Sequence, residues 1–310
     1  MADVVCVGAA TVDRSYTVTN LPEPDGGAFA HAVSESFGGV GANVATGLAK
    51  LGRHTKLLAR LGEDEFADRV EADLKSGPVD DTLVRRRPGT TTHCVIPRGP
   101  DGDRMIITAG DSTKRLRLDE SDENRLREAD VVFTTAYVPD QVTATLVDLT
   151  QEPDGPALVF DLSGPVEELA GRGTERETID RAVTTAELFV VGEVAAESYL
   201  DCPAADAAGV LRDRGCTRGA VTFGENGATL FTQSEETHVD AFAVETVDTT
   251  GAGDAFVAGL VDRWLLGDDS PADAGRFAAA AAALNCGAEG ARGGLASAET
   301  VRTFLAEGAS

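Results

Sequence analysis

Short apolar runs alternate with stretches of helical length, and this alternation limits more than anything else what the chain can fold into. The runs are VVCVG at 4–8, VVFTT at 131–135, LVFD at 158–161, LFVV at 188–191 and AVTF at 220–223. Between most of them lie mixed polar and apolar stretches at 121–129, 140–150, 176–186 and 204–214. A strand that is apolar throughout must be covered on both faces, because neither face can meet water. Helices between consecutive strands supply that cover, so the pattern predicts an α/β fold with a mainly parallel sheet between two helical layers. The 310 residues suffice for one large domain with an insertion or for two modest ones.

Two regions break the rhythm, at 13–37 and 91–110, where shorter β-branched or alternating segments flank Pro/Gly turns. Gly99-Pro100-Asp101-Gly102 reads as a hairpin-type turn between two strands. Together these regions predict a small antiparallel β-element standing off the main sheet. The alanine-rich run 278–283 reads as a tightly packed helix.

Charge restricts the partners. The chain has 52 acidic against 27 basic residues, a net charge of -25, and its only lysines are Lys50, Lys56, Lys75 and Lys114. Such a surface repels nucleic-acid phosphates and anionic membranes. It also stays hydrated in concentrated salt, where its self-repulsion is screened, which points to a halophilic cytoplasm. The five cysteines are scattered without a C-x-x-C pair, which argues against a disulfide framework or a zinc site. No apolar segment approaches the roughly 20 residues that span a bilayer, and the N-terminus lacks a basic leader region, so the expected location is cytoplasmic.

One stretch carries chemistry: VDTTGAGDAF, Val247 to Phe256. Phe256, Val257, Leu260, Val261, Trp264 and Leu265 recur at helical spacing, so a helix begins close to Asp254. Gly251, Ala252 and Gly253 form its approach, and a small-residue loop there leaves backbone N–H groups and the helix dipole to receive an anion. Asp254 has two readings: a carboxylate that favours the dipole, or a general base beside a phosphate cradle. A dinucleotide site is disfavoured, because VGAATVD after the first strand does not match G-x-G-x-x-G.

The segment DTTGAGDAF resembles the signature of the ribokinase-like (PfkB-type) carbohydrate kinases. VGAATVD (7–13), FGGVGANVATGLAKLG (37–52), ARLGEDEFADRV (59–70), VTFGENGATLF (221–231) and GAEGARGGL (287–295) resemble further family segments in the family's order. The resemblance implies a three-layer sandwich over 1–310 with a β lid formed by about 13–37 and 91–110, closing over the sugar and often forming a dimer contact. It implies Asp254 as the base and Gly251, Ala252 and Gly253 as the anion hole. Asp13, Gly39 and Asn43 would bind the sugar; the other reading of Asn43 is a helix cap before VATGLAKLG. Thr222, Gly224 and Gly227 would border ATP, although GENG alone is only a hairpin turn. Gly290 and Ala291 would pass near the adenine and near a monovalent cation, K⁺, shared with the DTT residues.

The chain departs from the family in three places. The family's N-x-x-E motif, which helps hold phosphates and Mg²⁺, falls on Gly192 and Ala195 here; Glu193 and Glu197 are either substitutes acting through water or solvated helix residues. Val40 stands where ribokinases usually carry lysine, and FTTAYVPD lacks their acid, so ribose does not lead. Tyr137 and Arg104 remain as substrate contacts, with Arg104 suited to a sugar acid or else a plain surface charge. The resulting expectation is an ATP- and Mg²⁺-dependent homodimeric kinase for a primary hydroxyl of a sugar. Its alternatives are a nucleoside kinase and a sugar- or nucleotide-binding protein without turnover.

Overall fold

Each apolar run becomes a strand whose successive residues feed two different cores. In the computed structural model, which describes residues 3–101, 103–267 and 269–307, Val4 and Cys6 of β1 (Asp3–Val7) join one buried cluster and Val5 and Val7 another. The strand period of two thus forces helices onto both faces. In chain order the other strands are β2 (Thr11–Val18), β3 (Ala30–Gly38), β4 (His54–Leu61), β5 (Asp80–Arg86), β6 (His93–Arg98) and β7 (Ile107–Ala109). They continue as β8 (Val131–Thr135), β9 (Ala157–Leu162), β10 (Leu188–Gly192), β11 (Arg218–Thr222), β12 (Ala228–Thr232) and β13 (Glu236–Val239).

Nine strands form the large sheet in the order β13-β12-β11-β10-β9-β8-β1-β4-β5. Pairing is parallel from β5 through to β11 and antiparallel only at β12 and β13. The helices Val40–Lys50, Ala252–Leu260 and Pro271–Cys286 contribute Leu48, Phe256 and Ala278 to the core on one face. Asp140–Thr150, Arg176–Thr185 and Glu193–Leu200 contribute Leu146, Ile179 and Tyr199 to the other. The chain leaves β1 toward β4 and β5 on one side and returns to build β8 to β11 on the other. Ligands collect beyond the carboxyl ends of the strands at such a reversal.

The expected off-sheet segments form a second sheet in the order β3-β2-β6-β7. Its outer pairs are antiparallel, whereas the central pair β2 and β6 runs parallel, setting Val12 beside His93. Gly102 of the expected turn lies outside the described residues; Gly99 N–H donates to Asp103 O at 2.9 Å, so the chain does fold back there. The helix expected near Asp254 is Ala252–Leu260, continued by a π turn Val261–Leu265. Alanines 278–283 lie within Pro271–Cys286, capped by Ser270 with Pro271 in its first turn.

Candidate active site

Gly251 starts the helix Ala252–Leu260 from a left-handed conformation, φ 76°, and a Cβ there would meet Ala291 O at 2.2 Å. Only glycine combines that backbone with that approach. The first-turn N–H groups of a helix have no acceptor four residues back. Ala252 N–H leans on Thr249 O at 3.3 Å, and the space beside the Gly253 Cα is open.

The preceding loop is held by Asp248, a buried carboxylate. It accepts from Thr250 N at 2.9 Å, Thr250 Oγ1 at 2.7 Å and Gly290 N at 3.1 Å, which ties the GAEGARGGL segment to the helix start. Two arginines of the small sheet complete the cluster. Arg98 Nη2 reaches Asp248 at 2.7 Å, and Arg104 Nη1 reaches Thr250 Oγ1 at 2.9 Å and Asp248 at 3.4 Å. Arg104 is therefore not a free surface charge.

Asp254 lies half-buried one turn into this region, and Asn43 Nδ2 donates to its Oδ2 at 2.7 Å. The capping reading of Asn43 fails. The helix Val40–Lys50 begins at Gly39, whose φ of 91° no other residue adopts readily, and Asn43 N–H already donates to Gly39 O at 2.8 Å. The Asn43 side chain instead bridges two chain segments, because its Oδ1 accepts from Arg292 Nε at 2.7 Å. Arg292 also donates to Asp73 at 2.7 Å and to Gly38 O at 2.6 Å.

Burial raises Asp254 to about 6, while the Asn43 amide and the Arg292 charge pull the other way. Asp13, buried and bound by Thr11 Oγ1 at 2.8 Å, is also raised by desolvation. Asp161, at the end of β9, is pushed to about 7 by burial and feels the charge of Asp254. Ser163 donates to Asp161 at 2.7 Å.

Asp13, Gly39, Asn43, Gly251 and Asp254 line one cavity of about 870 Å³. It opens at the carboxyl ends of β1, β8 and β9, through Ala9, Thr135 and Ser163, where the strand order reverses. Tyr137 lines it as well, its hydroxyl 3.4 Å from Glu168. The structure thus gathers side chains from both ends of the sequence around one buried and one half-buried acid.

Thr222, Gly224 and Gly227 lie outside that lining. They form the β11 to β12 hairpin through a 3₁₀ turn, Gly224–Asn226, closed by Phe223 N–H to Gly227 O at 2.8 Å. Ala291 is buried, its carbonyl accepting from Asn285 Nδ2 at 3.1 Å. Glu193 and Glu197 are exposed on the helix after β10. Glu197 accepts from Ala204 N–H at 3.3 Å, while Glu193 follows Gly192, which pairs with Thr222. Among the described residues, no group of three or more His, Cys, Asp or Glu is placed to hold a metal. Nor is any helix among them long and apolar enough to cross a membrane.

Arg292 and Asp161 were not singled out in the sequence. Arg292 sits in a glycine-rich segment far from its partners, and the one signal for it is a lone arginine amid small residues.

The pfkB family carbohydrate kinase model matches residues 1–298. The chain is 31% identical over 308 residues to the ATP-dependent ribose-1-phosphate kinase of Halopiger xanaduensis, covering 99% of each. It is 28% identical over 264 residues to the deoxyribokinase of Salmonella typhi, covering 82% of this chain and 83% of that one. The solved Arabidopsis thaliana ribokinase, complexed with ribose and ATP, superimposes with a TM-score of 0.85 at 26% identity, covering 98% and 99%. With the fold, the cleft and the helix start in agreement, the chain belongs to the pfkB family of carbohydrate kinases and is a sugar kinase of the ribokinase type.

Proposed function

We propose that the protein transfers the γ-phosphoryl group of ATP to the primary hydroxyl of a pentose, with Asp254 as general base. The observation that carries this reading is the half-buried Asp254 at a helix start, held by Asn43 and facing one cavity with Asp13 and Gly39. The hydroxyl gives its proton to Asp254 as its oxygen bonds to the γ-phosphorus. The bond from that phosphorus to the bridging oxygen breaks, and ADP leaves. N–H groups of Gly251, Ala252 and Gly253 stabilise the charge on the transferring group. Asp13 and Gly39 accommodate the sugar, and Asn43 has a second N–H to offer a hydroxyl while its first holds Asp254.

ATP lies along Thr222, Gly224, Gly227, Gly290 and Ala291. Mg²⁺ bound to its phosphates would neutralise part of their charge. Of the two glutamates, Glu193 is the one beside the β11 end and would approach the ion through water. K⁺ does not fit Asp248 in this arrangement, because its oxygens already accept from two guanidinium groups and two backbone N–H groups. The relatives include a ribose-1-phosphate kinase at 31% identity, deoxyribokinases and ribokinases as well as two probable fructokinases at 28%, and the pentose names at the higher identity favour a pentose unit over a hexose. A nucleoside would need ring stacking, and Tyr137 is the one aromatic lining the cavity among the described residues.

Segments 13–37 and 91–110 act as the lid of a single domain, and the lid carries a homodimer contact. Its exposed Phe29, Val33 and Ile107 support this, since large apolar side chains left in water favour a covering partner. The acidic surface suits a cytoplasm rich in salt.

The test is ADP release at molar KCl with Mg·ATP across pentoses, pentose phosphates, hexoses, sugar acids and nucleosides. One compound should stimulate release many-fold, and Asp254→Asn should abolish the stimulation by ~10³-fold or more. Equal slow hydrolysis by both proteins with every compound would refute the reading.

A further inference from the structure

The cavity holds two cations that phosphoryl transfer does not use. Lys114 and Arg172 line it together with Asp13 and Asp254, and both are exposed. Among the described residues neither forms a side-chain hydrogen bond or ion pair. That is unusual in a chain with 52 acids for 27 bases. Elsewhere Arg85 is held between Asp119 and Asp122, and Arg127 between Glu123 and Glu152. Arg172 shares the cavity lining with Cys94 of β6 and with Tyr137. The guanidinium therefore overlooks the space between the small sheet and the β8 end.

Two partnerless cations that share a cavity with Asp13 and Asp254 have no use for a neutral sugar, whose hydroxyls are matched by Asp13 and Asn43. They suit an anion, and two together suit a dianion better than a monoanion. Arginine offers its planar fork and lysine a mobile point charge, the usual pairing for a phosphate monoester. Their exposure fits a group that stays partly hydrated at the cavity mouth while the rest of the ligand is buried.

Resting on the kinase reading above, we propose that Lys114 and Arg172 form a phosphate subsite, so that the acceptor is a sugar phosphate monoester. Its phosphate sits at the mouth, its free primary hydroxyl points at Asp254, and the product carries two phosphates. Arg104 takes no part, being engaged at Asp248 and Thr250.

Steady-state kinetics with ribose 1-phosphate and with ribose, in wild type, Lys114→Ala and Arg172→Ala, test the subsite. Wild type should favour the phosphorylated sugar by ~100-fold or more in kcat/KM, and each variant should reduce that preference ~10-fold or more. The loss should lie in KM rather than in kcat. An unchanged preference, equal losses with both sugars, or a greater preference for 2-keto-3-deoxygluconate that depends on the same residues would overturn the proposal. Calorimetric binding of ribose 1-phosphate to Asp254→Asn, with and without each cation, separates the two claims. If neither sugar is turned over but binding still needs Lys114 and Arg172, the kinase reading falls and the subsite stands.

Discussion

The two ends of the cleft are built in opposite ways. At the proposed sugar end, side chains are already in place: Arg292 holds Asn43, Asn43 holds Asp254, and Thr11 holds Asp13. At the proposed nucleotide end the chain offers backbone, in the Gly251 turn and the Gly224–Asn226 hairpin, with few side chains committed. A base must have one geometry and one protonation state before the substrate arrives, so it needs a rigid surround. A polyphosphate brings its own charge and metal, so N–H groups at a helix start suffice. The difference implies that acceptor-end substitutions change proton chemistry, whereas nucleotide-end substitutions change binding and positioning.

Arg292→Met tests the acceptor end with the larger effect. It removes three hydrogen bonds and leaves Asp73 without its partner. Loss of a paired, largely buried charge should cost ~3 kcal/mol of stability, and misplacing Asn43 and Asp254 should lower kcat up to ~100-fold. The pH profile distinguishes positioning from mere loosening. A base must be ionised, so activity in wild type should rise with pH through about 6, the value to which burial lifts Asp254. The Arg292 charge restrains that rise, so its removal should move the acidic limb to higher pH. A lower rate at every pH with the limb unmoved would mean that Arg292 only supports the fold.

Gly251→Ala and Gly253→Ala divide the helix start between structure and function. At Gly251 a Cβ meets Ala291 O at 2.2 Å and the backbone is left-handed, so the variant should lose ~1–3 kcal/mol of stability along with activity. At Gly253 the Cβ meets nothing, and alanine suits a helix better than glycine. That variant should keep its Tm within ~3 °C while kcat/KM for ATP falls ~10-fold or more, because the methyl enters the space reserved for the phosphoryl group. Equal thermal losses in both variants would erase the distinction.

The contrast between the ends also explains what the sequence disclosed. Local signals carried the fold: β8 lies at 131–135 and a helix at 140–150, as their patterns predict. The Gly251 turn was legible because its residues are contiguous. What the sequence hid depends on distant pairing. The parallel match of β2 with β6 joins separate segments, and nothing in either strand states its partner's direction. Arg292 finds Asn43 only after nearly the whole chain has folded, so no spacing rule marks it. The capping reading of Asn43 failed because Gly39, four residues before the expected cap, lets the helix begin earlier. The surface-charge reading of Arg104 failed because the return of the chain toward Asp248 is a tertiary contact.

The smallest expected effect lies at Glu193 and Glu197, and it bears on whether the nucleotide end uses any carboxylate. Glu193 begins its helix beside the β10 and β11 ends, whereas Glu197 is turned toward Ala204 N–H. An exposed carboxylate reaching Mg²⁺ through water is screened and contributes about as much as a surface ion pair, roughly 0.2–1 kcal/mol. Glu193→Gln should therefore raise the Mg²⁺ concentration for half-maximal rate ~2- to 5-fold at saturating ATP, and Glu197→Gln should leave it where it was. If both variants match wild type, backbone and the ion's own waters are sufficient at this end. The asymmetry of the cleft would then be complete, with every side-chain carboxylate that matters to the reaction gathered around the sugar.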